Sequence, residues 1–202
     1  MYFFKSKPNL YVYSTEQTGI RQFYLADVER PGHSFAVTKT AASNGPFWVC
    51  EASMTLYYSA VSHQDPRECH LQSVDLRNPD VPVKQWTDQG KSHAIVAISS
   101  DFAYFVASSS SLEEAPLVQV RSFSSSDAVW TLLSARDIPA VISWPTTQPF
   151  SFTNSNGDRI YGLLVVPPGA KPSDRTRTML KIYGGPHCQV PVNRTYSLTP
   201  CR

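Results

Sequence analysis

Near the C-terminal end of the sequence, a short apolar run leads into a turn whose groups could stabilise negative charge. Residues 179–183, Met-Leu-Lys-Ile-Tyr, are followed by Gly184, Gly185 and Pro186. Strand-forming residues that stop at glycines and a proline indicate a buried strand that ends in a sharp turn. Such a turn aims backbone N–H groups and the hydroxyl of Tyr183, a neutral donor at pH 7, at whatever lies above the sheet. The pattern is typical of an oxyanion hole, which stabilises the charge that develops during acyl transfer.

The other groups that acyl transfer by a serine enzyme requires do not accompany this turn. The nucleophile elbow, Gly-x-Ser-x-Gly, occurs nowhere in the 202 residues. His187 and Cys188 are neighbours, and adjacent residues rarely face each other as a catalytic pair. Four further histidines are predicted to be solvated residues of turns and strand edges: His33, His63, His70 and His93. The chain by itself therefore predicts no Ser, Asp and His triad and no acyl-transfer activity of its own.

Composition indicates a globular chain without a nucleic-acid surface. The sequence is 42% hydrophobic, which suffices for a packed core, and its formal net charge is only +2. No apolar run reaches the length of a membrane span, and the first residues lack a signal-peptide core, so a soluble cytoplasmic chain is predicted. In that compartment Asn193-Arg194-Thr195 is expected to be a chance match to a glycosylation sequon.

The cysteines give no support for a metal centre. Their spacing contains no Cys-x-x-Cys pair, so neither a zinc site nor a thioredoxin-like site is predicted, and no cofactor is expected. Buried free thiols are the simpler expectation for all four, which are Cys50, Cys69, Cys188 and Cys201. A bridge between Cys50 and Cys69 in an oxidising compartment stays open.

The elements that precede the turn repeat along the chain. Pairs of short strands separated by a polar turn are predicted at residues 10–28, 56–76 and 103–120. A period of about 45 to 50 residues with four strands per repeat is typical of a β-propeller blade. The inner strands of two repeats are visible at residues 47–50 and 94–98, led in by residues 36–38 and 83–86. Because only about three copies are present and a closed ring needs about 4 to 8, we expect a fragment, a truncated gene model or a short isoform.

After the repeats, the pattern changes. Prolines interrupt residues 137–149, which are predicted to form a linker. Residues 150–153 and 160–166 then flank a turn rich in Asn and Gly, as in a β-hairpin. A polar loop over residues 169–178 leads to the strand that ends at Tyr183.

The order of repeats, linker, hairpin and Tyr-Gly-Gly-Pro resembles the prolyl oligopeptidase family of serine peptidases, in its dipeptidyl peptidase IV branch and most of all in its cytosolic eight/nine subgroup. Residues 14–24, Ser-x-x-x-x-Gly-Ile-Arg-Gln-Phe-Tyr, also resemble the blade hairpin of that family. The resemblance implies a mainly β fold, with the C-terminal blades of a β-propeller joined to the opening strands of an incomplete α/β-hydrolase domain. The expected division is a partial propeller over residues 1–136, the linker, and the start of the peptidase domain over residues 150–202.

The resemblance also implies a function for the turn. Tyr183 would donate its hydroxyl to the oxyanion, and Gly184 and Gly185 would shape the loop. The parent enzyme would be a serine-type dipeptidyl peptidase that removes dipeptides after proline or alanine from peptides with a free amino terminus, and the full-length protein could form a homodimer. Members of the branch hold the substrate's amino terminus with two glutamates of an earlier blade. Glu113 and Glu114 lie in a later loop and are predicted to be solvated, so no substrate-binding residue is expected in this chain.

Two other functions stay open at this point. The chain could belong to a non-catalytic protein whose propeller binds peptides or proteins. It could also belong to another member of the same fold family, an acylaminoacyl peptidase or a prolyl endopeptidase. The downstream sequence around the nucleophile separates the first alternative, and reporter substrates with free or acetylated amino termini separate the second.

Overall fold

The computed structural model of the chain describes residues 1–39, 42–125, 127–134, 145–171, 173–184 and 192–194. All regular structure in these residues is β-strand, arranged as three four-stranded antiparallel sheets and one two-stranded hairpin. No helix in the described part of the chain could span a membrane.

Each four-stranded sheet is an up-and-down meander in which strand order follows chain order. The first blade consists of β1 (Tyr2–Phe3), β2 (Leu10–Thr15), β3 (Gln22–Asp27) and β4 (Ser34–Ala36). The second blade consists of β5 (Ala42–Cys50), β6 (Thr55–Val61), β7 (Cys69–Asp75) and β8 (Lys84–Gln85). The third blade consists of β9 (Ser92–Ile98), β10 (Tyr104–Ser110), β11 (Leu117–Ser122) and β12 (Ala128–Ser134). The hairpin consists of β13 (Thr146–Thr153) and β14 (Arg159–Val166).

The predicted strand pairs of the three repeats and the predicted inner strands of two of them are confirmed, but two details of the prediction are wrong. The segments expected to lead into the next repeat instead close the preceding sheet, since β4 pairs with β3 and β8 pairs with β7. A strand that follows its neighbour across a short connection pairs most readily with that neighbour. The sequence reading also missed β12, which pairs with β11.

The second blade is buried on both faces because the other two blades cover it. Along β6, Leu56 and Tyr58 pack into a core shared with the first blade, while Tyr57 packs into a core shared with the third blade. Alternate residues of a strand point to opposite faces, so one strand serves both cores. Burial of each such side chain stabilises the fold by about 1.5 to 3 kcal/mol relative to exposure.

Equivalent turns of the second and third blades share a strained residue. Met54 and Phe102 each adopt the left-handed conformation, with φ of 52° and 54°, and each donates its backbone N–H to the residue three positions earlier. Met54 is buried in the core shared by the first two blades, and the ring of Phe102 stacks on Tyr57 at 5.4 Å. The second and third blades therefore share the geometry of this turn as well as their strand order. In each of them, the apolar side chain at this position packs against a neighbouring blade.

The predicted hairpin is confirmed and is longer than expected. β13 begins at Thr146, because residues 146–149, assigned to the linker from the sequence, pair with the end of β14. In the turn, the side-chain carbonyl of Asn154 accepts hydrogen bonds from the backbone N–H groups of Asn156 and Asp158. Gly162 lies opposite Phe150, whose ring is only 2.2 Å from where a Cβ would stand, so the ring occupies the space left by the missing side chain.

Candidate functional site

The turn predicted to carry the chemistry begins at an exposed tyrosine. Residues 179–184 form no strand, and the side chains of Leu180, Ile182 and Tyr183 are 80%, 83% and 59% exposed. The prediction of a buried strand is therefore wrong for this chain. A central strand pairs its N–H and C=O groups with neighbours on each side, and no strand of the described residues pairs with residues 179–183.

Of the two glycines of the turn, only Gly184 lies among the described residues. Gly184 has no positive φ, and no atom lies within 4 Å of where its Cβ would stand. Gly185 and Pro186 lie outside the described residues, as does His187. The role of Tyr183, Gly184 and Gly185 in an oxyanion hole stays a prediction.

Beyond the turn, the main chain of Asn193 is bonded to two blades. Its backbone N–H donates to the carbonyl of Arg67 at 2.8 Å, at the end of the turn between β6 and β7. Its carbonyl accepts from the backbone N–H of Ser92 at 3.2 Å, at the start of β9. The residue thus bridges the second and third blades.

The side chain of Asn193 completes the bridge. Its Nδ2 donates to Glu68 Oε1 at 2.8 Å and to the carbonyl of Gly90 at 3.0 Å. Its Oδ1 accepts from the backbone N–H of Leu112 at 3.3 Å, in the loop between β10 and β11. The five residues that bond Asn193 form what we term the Asn193 socket: Arg67, Glu68, Gly90, Ser92 and Leu112.

Beneath the socket lies a buried network that fixes the carboxylate of Glu68. The hydroxyl of Thr87 accepts from the backbone N–H of Leu71 at 3.2 Å, so its own hydrogen is available for His70 Nδ1 at 3.1 Å. His70 then carries its proton on Nε2 and donates it to Glu68 Oε2 at 3.2 Å. Burial lowers the pKa of His70, which keeps the ring neutral at pH 7.

A second buried histidine extends the network toward the third blade. His93 Nε2 donates to the carbonyl of Asp88 at 3.0 Å, while its Nδ1 has no partner among the described residues. Burial lowers the pKa of His93 to about 4, and its ring lies 5.6 Å from that of His70. The guanidinium of Arg121 donates to both carboxylate oxygens of Asp88, at 2.9 and 3.3 Å. We term the set Glu68, His70, Thr87, Asp88, His93 and Arg121 the polar seam.

The polar seam corrects the sequence reading of the histidines. His33 and His63 are exposed, as predicted, but His70 and His93 are 0% and 4% exposed, so the prediction that they are solvated is wrong. Both lie near strand ends that the adjacent blade and the Asn193 segment cover, which a linear pattern does not reveal. One local signal existed, because Glu68 and His70 are two residues apart and therefore share a face of the strand.

Three groups of the polar seam follow one another in the order of a catalytic triad, but a substrate could not reach them. Hydroxyl, imidazole and carboxylate follow one another in Thr87, His70 and Glu68. All three side chains are buried, at 5%, 0% and 6% exposure, so a substrate carbonyl could not approach the Thr87 hydroxyl. The described residues also contain no cluster of three or more His, Cys, Asp or Glu arranged to hold a metal ion. The arrangement is suited to binding the Asn193 segment.

Glu113 and Glu114 lie in an exposed loop of the third blade, as predicted. Their backbone N–H groups donate to the hydroxyl of Ser111, at 3.2 and 3.0 Å. The carboxylate of Glu114 forms an ion pair with Lys91. Lys91 lies in the connection between β8 and β9, so this ion pair joins that connection to the loop. That neither glutamate binds substrate stays a prediction.

The structure shows no disulfide between Cys50 and Cys69, and both residues are half-buried, not fully buried as expected. Cys188 and Cys201 lie outside the described residues.

In the turn of the second blade that Asn193 contacts, Arg67 donates two side-chain hydrogen bonds to Asp65, at 2.9 and 2.6 Å, and these lower the pKa of Asp65. The positive charge of Arg159, at the start of β14, lowers it further by a smaller amount.

Comparison with known proteins identifies what the blades are similar to. The family model of the dipeptidyl peptidase IV N-terminal region matches residues 1–116. Dipeptidyl peptidase 8 of Mus musculus is 29% identical over 157 residues, covering 73% of this chain and 17% of that protein. Dipeptidyl peptidase 8 of Homo sapiens is 30% identical over 149 residues, covering 69% of this chain and 16% of that protein. The chain thus spans about a sixth of the length of the curated relatives it matches.

A solved structure supports the same fold. The crystal structure of dipeptidyl peptidase 4 of Porphyromonas gingivalis superposes with a TM-score of 0.79, covering 96% of this chain and 27% of that one. Its sequence identity is 16%, so the likeness concerns the fold alone. The three four-stranded sheets are blades of the propeller type.

Proposed function

The chain belongs to the dipeptidyl peptidase IV family, and on that premise we propose that it is a segment of a serine-type dipeptidyl peptidase. The longer protein releases dipeptides after proline or alanine from peptides with a free amino terminus. The observation that carries the proposal is the family match over residues 1–116, followed in the chain by the hairpin and by Tyr183-Gly184-Gly185-Pro186. A cytoplasmic location and a homodimer stay predictions.

In the proposed reaction this chain supplies part of the oxyanion hole, and the triad comes from the remainder of the peptidase domain. The serine attacks the scissile carbonyl, a histidine takes its proton, and negative charge develops on the carbonyl oxygen. The hydroxyl of Tyr183 donates to that oxygen, and Gly184 and Gly185 shape the loop that presents it. The ring of Tyr183 is more than half exposed, which leaves its hydroxyl accessible to a substrate held by the rest of the domain.

The test is the substitution Tyr183→Phe in the longer peptidase, assayed with a Gly-Pro reporter. The change removes one hydroxyl and keeps the ring, so folding should be little affected. If the hydroxyl donates only as the tetrahedral intermediate forms, kcat and kcat/KM should fall together by about 10² to 10³ with little change in KM. Tyr161→Phe, which removes a hydroxyl from the neighbouring hairpin, is the matched control and should keep normal turnover.

Three results would contradict the proposal. Turnover of Tyr183→Phe within about threefold of wild type would remove Tyr183 from the oxyanion hole. Cleavage of an N-acetyl-amino acid reporter in preference to the Gly-Pro reporter would favour an acylaminoacyl peptidase. No turnover of either reporter by the wild type would favour the non-catalytic binding protein.

A further inference from the structure

The Asn193 socket provides a hydrogen-bond partner for both polar side-chain atoms of Asn193, a residue that lies far from the blades in sequence. Five hydrogen bonds join Asn193 to the second and third blades, two through its main chain and three through its side chain. The sequence separation between Asn193 and Glu68 is 125 residues. Tyr183 and Gly184 lie just before this anchor in the chain.

The blades hold the socket in shape without help from Asn193. Glu68 Oε2 accepts from His70 Nε2 at 3.2 Å and from the backbone N–H of Gly90 at 3.1 Å, so Oε1 is left to face Asn193. A carboxylate oxygen buried at 6% residue exposure is costly to leave without a donor. The socket thus requires a donor at this place.

The socket is also selective for asparagine. It presents two acceptors to Nδ2, Glu68 Oε1 and the Gly90 carbonyl, and one donor to Oδ1, the Leu112 N–H. An aspartate would offer no donor and would set a second carboxylate against that of Glu68. An alanine would leave the carboxylate of Glu68 without its donor.

The segment that carries Tyr183 is fastened to the second blade on its C-terminal side, where Asn193 is bonded to Arg67 and Glu68. Fixing one end of a loop removes part of its conformational freedom, which lowers the entropy cost of bringing a catalytic group to its working position.

We propose that Asn193 is a positioning residue, which fastens the segment after the Tyr183–Gly184 turn to the seam between the second and third blades and so sets the place of the Tyr183 hydroxyl. This inference rests on the function proposed above for Tyr183. Asn193 acts through the loop and does not touch the substrate.

The experiment compares Asn193→Asp and Asn193→Ala with Arg194→Ala in the longer peptidase. Arg194 is exposed, so its substitution is the matched control. Amide hydrogen exchange at Ser92 and Leu112, whose N–H groups donate to Asn193, reports on release of the segment. In both Asn193 variants, exchange at these two amides should accelerate by at least about tenfold, while the blade cores keep their protection.

Steady-state kinetics test whether Asn193 affects the catalytic role of Tyr183. With a Gly-Pro reporter, kcat of both Asn193 variants should fall by at least about fivefold, with KM within about twofold. Tyr183→Phe should then reduce kcat by a smaller factor in the Asn193→Ala background than in the wild type, because a displaced hydroxyl contributes less. Adding Glu68→Gln to Asn193→Asp places an amide donor opposite the new carboxylate and should recover part of the lost kcat. Arg194→Ala should match the wild type.

The outcomes separate this inference from the proposed function. If Tyr183→Phe lowers kcat but the Asn193 variants turn over normally, the positioning role is overturned and the function of Tyr183 stands. Unchanged exchange at Ser92 and Leu112 in Asn193→Ala overturns the anchor itself. If Tyr183→Phe has no effect on kcat, the proposed function fails and the positioning role fails with it. Should Asn193→Ala lose protection throughout the blades, the near-isosteric Asn193→Asp decides the question.

Discussion

The second blade and the segment from β13 to Gly184 are both rich in strand-forming apolar residues, yet only the blade buries them. β6 buries residues 56–60 without interruption, because the first blade covers one face of the sheet and the third blade covers the other. In β14, Leu164 and Val165 are 48% and 46% exposed. Backbone pairing alone makes a strand, whereas burial requires a second layer against each face.

The outer strand of the third blade shows the same dependence on covering layers. β12 pairs along its length with β11, but Trp130, Leu132 and Leu133 are about 60% exposed. Its sequence is as apolar as that of the buried strands. The difference between regions therefore arises from position in the stack of sheets and not from strand-forming tendency.

The largest expected difference between the blades and the segment from β13 to Gly184 is in cleavage by trypsin. Arg175, Arg177 and Lys181 are exposed and lie outside any strand, so trypsin can bind there without unfolding of the blades. Cleavage at Arg121, which is 8% exposed, first requires local opening. If opening costs about 3 kcal/mol, the exposed sites of the 202-residue chain should be cut at least about 10² times faster.

Limited digestion followed by mass spectrometry of the fragments tests this difference. Among the first products should be fragments that end at residues 175, 177 or 181, while Arg121 stays uncut. Cleavage at Arg121 at a comparable rate would show that the strand that carries it opens readily in solution.

The same substitution in the two regions gives the next largest difference. Leu56 is fully buried between the first and second blades, so Leu56→Ala should lower the free energy of unfolding by about 2 to 5 kcal/mol. Leu164 is about half exposed, and Leu164→Ala should cost less than about 1 kcal/mol. Denaturant unfolding of the two variants and the wild type measures both values, and equal losses would contradict the comparison.

Local patterns were enough to predict most of the blades. The strands around Tyr58 and Tyr24 could be found because alternation and polar turns are properties of consecutive residues. The turn residues Met54 and Phe102 escaped prediction, since their left-handed backbone is stabilised by contacts with a neighbouring blade.

The candidate site could be predicted only in part, because its decisive contacts are long-range. Tyr183 and its glycines were found from a motif, but the strand expected before them has no described strand to pair with. The sequence predicts only a chance sequon at Asn193, although its side chain bonds residues about a hundred positions away. The burial of His70 and His93 likewise depends on how two blades meet.

The smallest of the expected effects concerns pH and the polar seam. Burial lowers the pKa of His93 to about 4 in the folded chain, whereas an unfolded histidine titrates near pH 6.5. As pH falls below about 6.5, the unfolded chain binds a proton that the folded chain rejects, so the free energy of unfolding decreases until the pH reaches about 4. Between pH 7 and pH 5 this decrease should be about 2 kcal/mol for His93 alone. The charged groups that face the two histidines of the polar seam are Glu68, Asp88 and Arg121.

Replacing His93 with glutamine isolates that contribution. In His93→Gln the side-chain amide can still donate to the carbonyl of Asp88, as Nε2 does, but it takes up no proton near pH 5. Unfolding of the variant between pH 7 and pH 5 should therefore lack about 2 kcal/mol of the wild-type decrease, and what is left should come from groups such as His70, whose pKa burial also lowers. His33→Gln, at an exposed position of the first blade, should keep the full wild-type decrease. If the free energy of unfolding of the wild type is the same at pH 7 and pH 5, His93 is solvated. The polar seam between the second and third blades would then be accessible to water, unlike the core shared by the first two blades.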